Sequence, residues 1–117
     1  MINLETFALV ILIVQIAHSI EELATGFHKR WYLRKLSFNT FLLFEIVHNI
    51  FWISVVLFKE FPLRSELLFF FIALMFANGV QHLVWFGTEK KYVPGLITAP
   101  IHVVLFLLFF FQFVKFV

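Results

Sequence analysis

The chain has 117 residues, 62% of them hydrophobic, with 19 phenylalanines and a formal net charge of +2. A soluble domain of this size needs far more polar surface around its core, so the composition excludes one and predicts an integral membrane protein. So small a charge gives no footing for nucleic acid, and the absence of cysteine excludes thiolate-bound zinc, iron–sulfur clusters and disulfides.

Four apolar segments of roughly 20 residues, the length that crosses ~30 Å of hydrocarbon, run over 4–23, 38–58, 67–87 and 95–117. They predict one all-α domain over residues 1–117, an integral membrane four-helix antiparallel bundle. The start of the chain lacks the basic region and small-residue cleavage site of a signal peptide, so the first segment is expected to remain as a helix. That segment is almost wholly apolar except for His18-Ser19-Ile20-Glu21-Glu22 near its end. The first loop, 24–37, carries Lys29, Arg30, Arg34 and Lys35 around Trp31 and Tyr32, a mixture suited to the headgroup level and to a short amphipathic helix. The second, around Pro62, reads as a tight turn with Ser65 as the cap of the next helix. The third, 88–94, is again basic and aromatic. Loops one and three hold six of the nine Lys and Arg. The positive-inside rule therefore predicts a multi-pass cell-membrane protein with both termini outside and loops 24–37 and 88–94 in the cytoplasm.

Each segment carries one histidine in its apolar run: His18, His48, His82 and His102; only His28 falls in a loop. Counting at 1.5 Å per residue puts all four in one layer, roughly 7–15 Å below the cytoplasmic surface. Glu45, His48, Asn49 and Trp52 share a helix face, as do Met75, Asn78, His82 and Trp85. Thr98 and Ala99 are small neighbours of His102, and Pro100 predicts a kink or a late helix start beside it.

Carboxylates inside an apolar segment are costly, and no Lys or Arg lies in the core of any segment to neutralise them. A bound cation would do so. Glu45-x-x-His48 is the spacing with which helical bundles present a carboxylate and an imidazole to a metal, and His18 with Glu21 or Glu22 is the same pair reversed. The expected shell is His18, Glu22, Glu45, His48, His82 and His102, holding one or two divalent ions, zinc or iron. Glu21 and Glu22 are the candidate catalytic carboxylates, Glu21 as a further ligand or general base. Asn49, Asn78 and Gln81 are expected to orient ligands or substrate. Bis-imidazole haem fits less well, because a haem site needs no carboxylate ligands. The other readings are a proton-coupled transporter or channel using the same residues as a relay, a structural network of protonated carboxyls, and an accessory subunit whose polar layer faces a partner.

The five residues His18 to Glu22 resemble the motif of the HXXEE domain family, small multi-span proteins found mostly in bacteria, and the resemblance covers essentially the whole chain. The later groups, Glu45 with His48 and Asn49, and Asn78 with His82, resemble polar positions of subsequent spans in such proteins. The resemblance implies a bacterial membrane location and a functional cluster without naming a substrate. Together these readings predict an intramembrane metal-dependent enzyme, a hydrolase or a di-metal oxidoreductase. Its substrate would be a lipid or lipophilic molecule entering by a lateral opening, in a monomer or a homo-oligomer.

Overall fold

The apolar runs become helices, the first three of the long ones opened by a polar cap or a left-handed residue. The computed structural model describes residues 3–113, which form α1 (Leu4–Thr25), α2 (Phe27–Arg30), α3 (Phe38–Leu57), α4 (Arg64–Glu89) and α5 (Ala99–Phe113), with no strand among them. Asn3 Oδ1 accepts the Thr6 N–H at 2.8 Å and opens α1. Gly26 closes it at φ 79°, a left-handed position that favours glycine. The short α2 then turns the chain, so loop one does contain a helix, and His28 is buried there against Phe38 and Phe41 rather than exposed.

Ser37 caps α3 by accepting the Thr40 N–H. At the far end, the expected cap Ser65 lies inside α4, which already starts at Arg64 after Leu63 at φ 55°. The reason is electrostatic. Arg64 Nε and Nη2 donate to the carbonyls of Val55 and Val56 at 2.9 and 2.7 Å, in the last turn of α3, while Nη1 reaches Glu5 at 2.9 Å. One guanidinium thus satisfies carbonyls that no backbone N–H can reach and ties three helices together.

Helix α5 begins at Ala99, later than the apolar run, with Pro100 in its first turn where the missing N–H costs nothing. Residues 114–117 of the expected last segment lie outside the described residues, as do Met1 and Ile2. Helices α1, α3 and α4 are long and apolar enough to cross a membrane; α5, at 15 residues, is shorter.

Packing is uneven. Helix α1 touches α3, α4 and α5, and α4 and α5 pack most extensively, whereas no Cα of α3 comes within 8 Å of one in α5 among the described residues. Phe7, Ile11, Trp52, Phe71, Met75 and Phe109 belong to an apolar core toward one end, and Phe27, Phe41, Trp85 and Val93 to a smaller one toward the other. Along α1, buried Gln15, His18, Ser19 and Glu22 fall between the two. Loops one and three meet at the same end, where Arg30 donates to the Tyr92 carbonyl at 2.8 Å.

Candidate metal centre

Residues four apart on a helix share a face, whereas the intervening third position is rotated by about 100° from its neighbour. In the motif this sends Glu22 back toward His18 and leaves Glu21 pointing elsewhere. His18 Nε2 and Glu22 Oε1 are 3.3 Å apart. His82 from α4 completes a triangle, its Nε2 3.1 Å from His18 Nε2 and 3.5 Å from Glu22 Oε2. All three side chains are buried. Ligand atoms about 2.0–2.1 Å from a tetrahedral zinc are roughly 3.3 Å from one another, and each of these three separations is of that length, although the two histidines face different oxygens of Glu22.

Hydrogen bonds around the triangle decide which atoms offer lone pairs. Thr98 Oγ1 lies 2.8 Å from Glu21 Oε1 and 2.6 Å from His18 Nδ1. The carboxylate can only accept, so the hydroxyl proton goes to Glu21 and His18 Nδ1–H donates to Thr98. His18 Nε2 is then left as an acceptor. A proton on His82 Nε2 could serve only one of its two neighbours, His18 Nε2 or Glu22, whereas a divalent cation serves all three ligands.

His102 stands beside this triangle, its ring centroid 5.7 Å from that of His18. It is 1% exposed, and neither ring nitrogen has a hydrogen-bond partner. An imidazole always carries at least one N–H, so His102 is a buried polar group with an unmet need next to the site. Gly95 closes over the pair from the other side. A Cβ there would lie 2.5 Å from His82 Cε1 and 2.7 Å from His18 Cε1, and its φ of 92° independently requires glycine.

Glu21 has a different task. Its carboxylate accepts the backbone N–H groups of Gly95, Ile97 and Thr98 at 3.0–3.1 Å, the Thr98 hydroxyl, and the Tyr92 hydroxyl. It therefore anchors the segment that lays Gly95 over the histidines and delays the start of α5. Burial, and then the bond to Glu21, push the Tyr92 phenol above its ordinary value.

The expected six-residue shell does not converge as a unit. Among the described residues the cluster with ligand spacing is His18, Glu22 and His82. His48 on α3 and His102 on α5 lie outside that cluster. Glu45 accepts the Ser19 hydroxyl at 2.5 Å, and Ser19 in turn accepts from Asn49 at 2.9 Å and Gln15 at 3.2 Å. His48 Nε2 accepts the Trp52 indole N–H at 3.1 Å. Gln81 donates to Asn78 at 3.2 Å and accepts from Trp31 and Tyr32, which fastens loop one to α4.

Glu22, Glu45, His48, Asn78 and Gln81 nevertheless share one feature: they line a cleft of about 690 Å³ between α1, α3 and α4, otherwise walled mainly by apolar and aromatic side chains. Ser19, Tyr92, Gly95 and Gln15 were not foreseeable as site residues. Ser19 lies within the motif itself, but the others carry no local signal. Thr98 was legible only as a small neighbour of His102.

Residues 9–110 match the family model described as "Protein of unknown function with HXXEE motif", and the chain belongs to that family. No curated protein and no solved structure matches it significantly.

Proposed function

We propose that this member of the HXXEE family is a single-domain, four-span antiparallel membrane bundle that binds one divalent metal through His18, Glu22 and His82 and hydrolyses a lipophilic substrate. The observation that carries the reading is the buried cluster in which His18 and His82 Nε2 lie 3.1 Å apart and 3.3 and 3.5 Å from the two Glu22 oxygens, with the cleft reaching Glu22. Two histidines and one glutamate are a set that catalytic zinc sites use while keeping a coordination position open, and iron accepts the same donors. The cluster holds one carboxylate, which supports a single ion and hydrolysis over a two-metal oxidative centre.

The ion supplies a polarised carbonyl and a water made acidic enough to attack near neutral pH. The chain supplies the rest. Glu45, on the cleft wall and steadied by Ser19 and Asn49, takes the proton of the attacking water. Asn78, on the cleft wall and accepting from Gln81, is a further polar contact for the substrate head group. His18 is kept in one tautomer by Thr98 and Glu21, and Glu21 itself is an anchor rather than the base.

Membrane insertion is supported by the outer face of α3, where Leu43, Phe44, Val47 and Ile50 are all more than half exposed. The longest dimension of 41 Å suits a bilayer with its headgroups. The apolar core around Phe7, Phe71 and Phe109 offers no polar path onward from the site, which weighs against a relay or channel. The burial of His18, His82 and His102 weighs against a cluster turned toward a partner subunit.

Thermal unfolding in detergent tests the reading. A strong chelator should lower the melting temperature and zinc or iron should restore it, because a ligand that binds only the folded state stabilises it by mass action. Glu22→Gln should remove the response. A melting temperature indifferent to chelator and to both metals would refute the proposal.

A further inference from the structure

The cleft has a chemistry of its own beyond the metal ligands. Its charged lining residues are Glu22 and Glu45, with no Lys or Arg among them, and the nearby Arg30 donates to the Tyr92 carbonyl. A divalent ion at the triangle would be balanced by these two carboxylates, leaving no net positive charge. Without the ion the cleft is negative. In neither state is there a counter-charge for a phosphate or a free carboxylate, and burying such a group unpaired is prohibitive.

Two buried polar atoms in the lining lack partners. Gln15 is 2% exposed; its Nε2 donates to Ser19, whose own proton goes to Glu45, so the amide orientation is fixed and Oε1 remains an unused acceptor. His48 Nε2 must accept from Trp52, because an indole N–H can only donate, so the neutral ring carries its proton on Nδ1, which has no partner either. Buried groups of this kind cost free energy until a ligand meets them. The cleft therefore offers one acceptor and one donor near its acidic floor. Around them Phe41, Phe44, Leu74 and Met75 provide an apolar wall.

We propose that this cleft binds a neutral single-chain amphiphile whose head group both donates and accepts hydrogen bonds, as a fatty amide or a monoacylglycerol does. Its N–H or O–H meets Gln15 Oε1 and its carbonyl meets His48 Nδ1–H. The volume agrees: 690 Å³ at ~30 Å³ per non-hydrogen atom, the share of a water molecule in the liquid, holds about twenty atoms, fewer than half of the roughly fifty in a two-chain phospholipid. The inference rests on the hydrolase reading only for what happens to the bound carbonyl; recognition by Gln15 and His48 does not need the metal.

The experiment is photo-cross-linking on the full chain in phosphatidylcholine nanodiscs. Three diazirine probes share one acyl chain and differ in head group: an N-acylethanolamine, a monoacylglycerol and a lysophosphatidate. Labelled peptides are mapped by mass spectrometry. Saturable labelling around Gln15 and across Phe41–His48 is expected from one or both neutral probes, and the two arms decide between amide and glycerol ester. The lysophosphatidate should label at least about tenfold less, for want of a counter-charge. His48→Phe should weaken the neutral probe by about fivefold, the worth of one hydrogen bond, and Ala77→Trp should fill the cleft and abolish labelling. Equal or stronger labelling by the phosphate probe, or no saturable labelling in the cleft, would overturn the proposal. Metal content measured on the same samples separates the two ideas. Labelling that persists in a protein without metal removes the hydrolase reading alone, and stoichiometric metal without labelling removes this one alone.

Discussion

Thr98 connects Glu21 to His18, the first residue of the motif, taking its orientation from the carboxylate and passing it to the imidazole. Without its oxygen, His18 loses the partner that holds its proton on Nδ1 and its lone pair toward His82. Partners of this kind typically change metal affinity by about 10–100-fold, so Thr98→Ala should weaken binding by that amount and Thr98→Ser should restore it. Competition against a chelator of known affinity measures this; unchanged affinity in Thr98→Ala would break the proposed chain of hydrogen bonds. This also marks how far the sequence could be read at single residues. The four-residue spacing from His18 to Glu22 is a property of any helix, so that pair is legible at once. The choice of His82 over His48 as their partner is not, because it depends on which helix lies against which face of α1. Thr98 is 80 residues from His18 in the chain, and Gly95 matters only because a particular turn closes over two rings.

At the level of elements, apolar run length located all four long helices, and where α4 and α5 begin follows from what happens at those two ends. Those ends are tertiary. Helix α4 gains a turn because Arg64 is drawn to the carbonyls of α3, and α5 loses its first residues because Gly95, Ile97 and Thr98 give their N–H groups to Glu21. No local propensity encodes either. Arg64→Ala should therefore lower the melting temperature, with a loss of about 1–3 kcal/mol for two charge-assisted bonds to backbone, while the metal site at the other side of the apolar core stays filled. Thermal unfolding with parallel metal analysis checks it; loss of metal together with stability would mean that the α3–α4 turn and the site are coupled. His28 offers a contrast: buried in α2 beside Phe38 and Phe41, its replacement should cost stability without touching metal content.

For the whole molecule, the meeting of loops one and three at one end is what helices of alternating direction would produce, and in the proposed membrane bundle the charge bias would put that end in the cytoplasm. A chain without cysteine suits single-cysteine labelling. Cysteines at Lys35 and Lys90 should react with a membrane-impermeant maleimide only after the cells are opened, and one at Glu60 should react in intact cells; the reverse pattern would turn the cleft toward the outer leaflet. The central claim is that His18, Glu22 and His82 hold a metal that His48 does not, and elemental analysis of protein purified without chelator tests it most directly. The account predicts about one zinc or iron per chain in the wild type and in His48→Phe, and none in His82→Ala, as befits a site built from three protein ligands. A wild-type protein free of metal, or a His82→Ala variant that carries as much as the wild type, would contradict it.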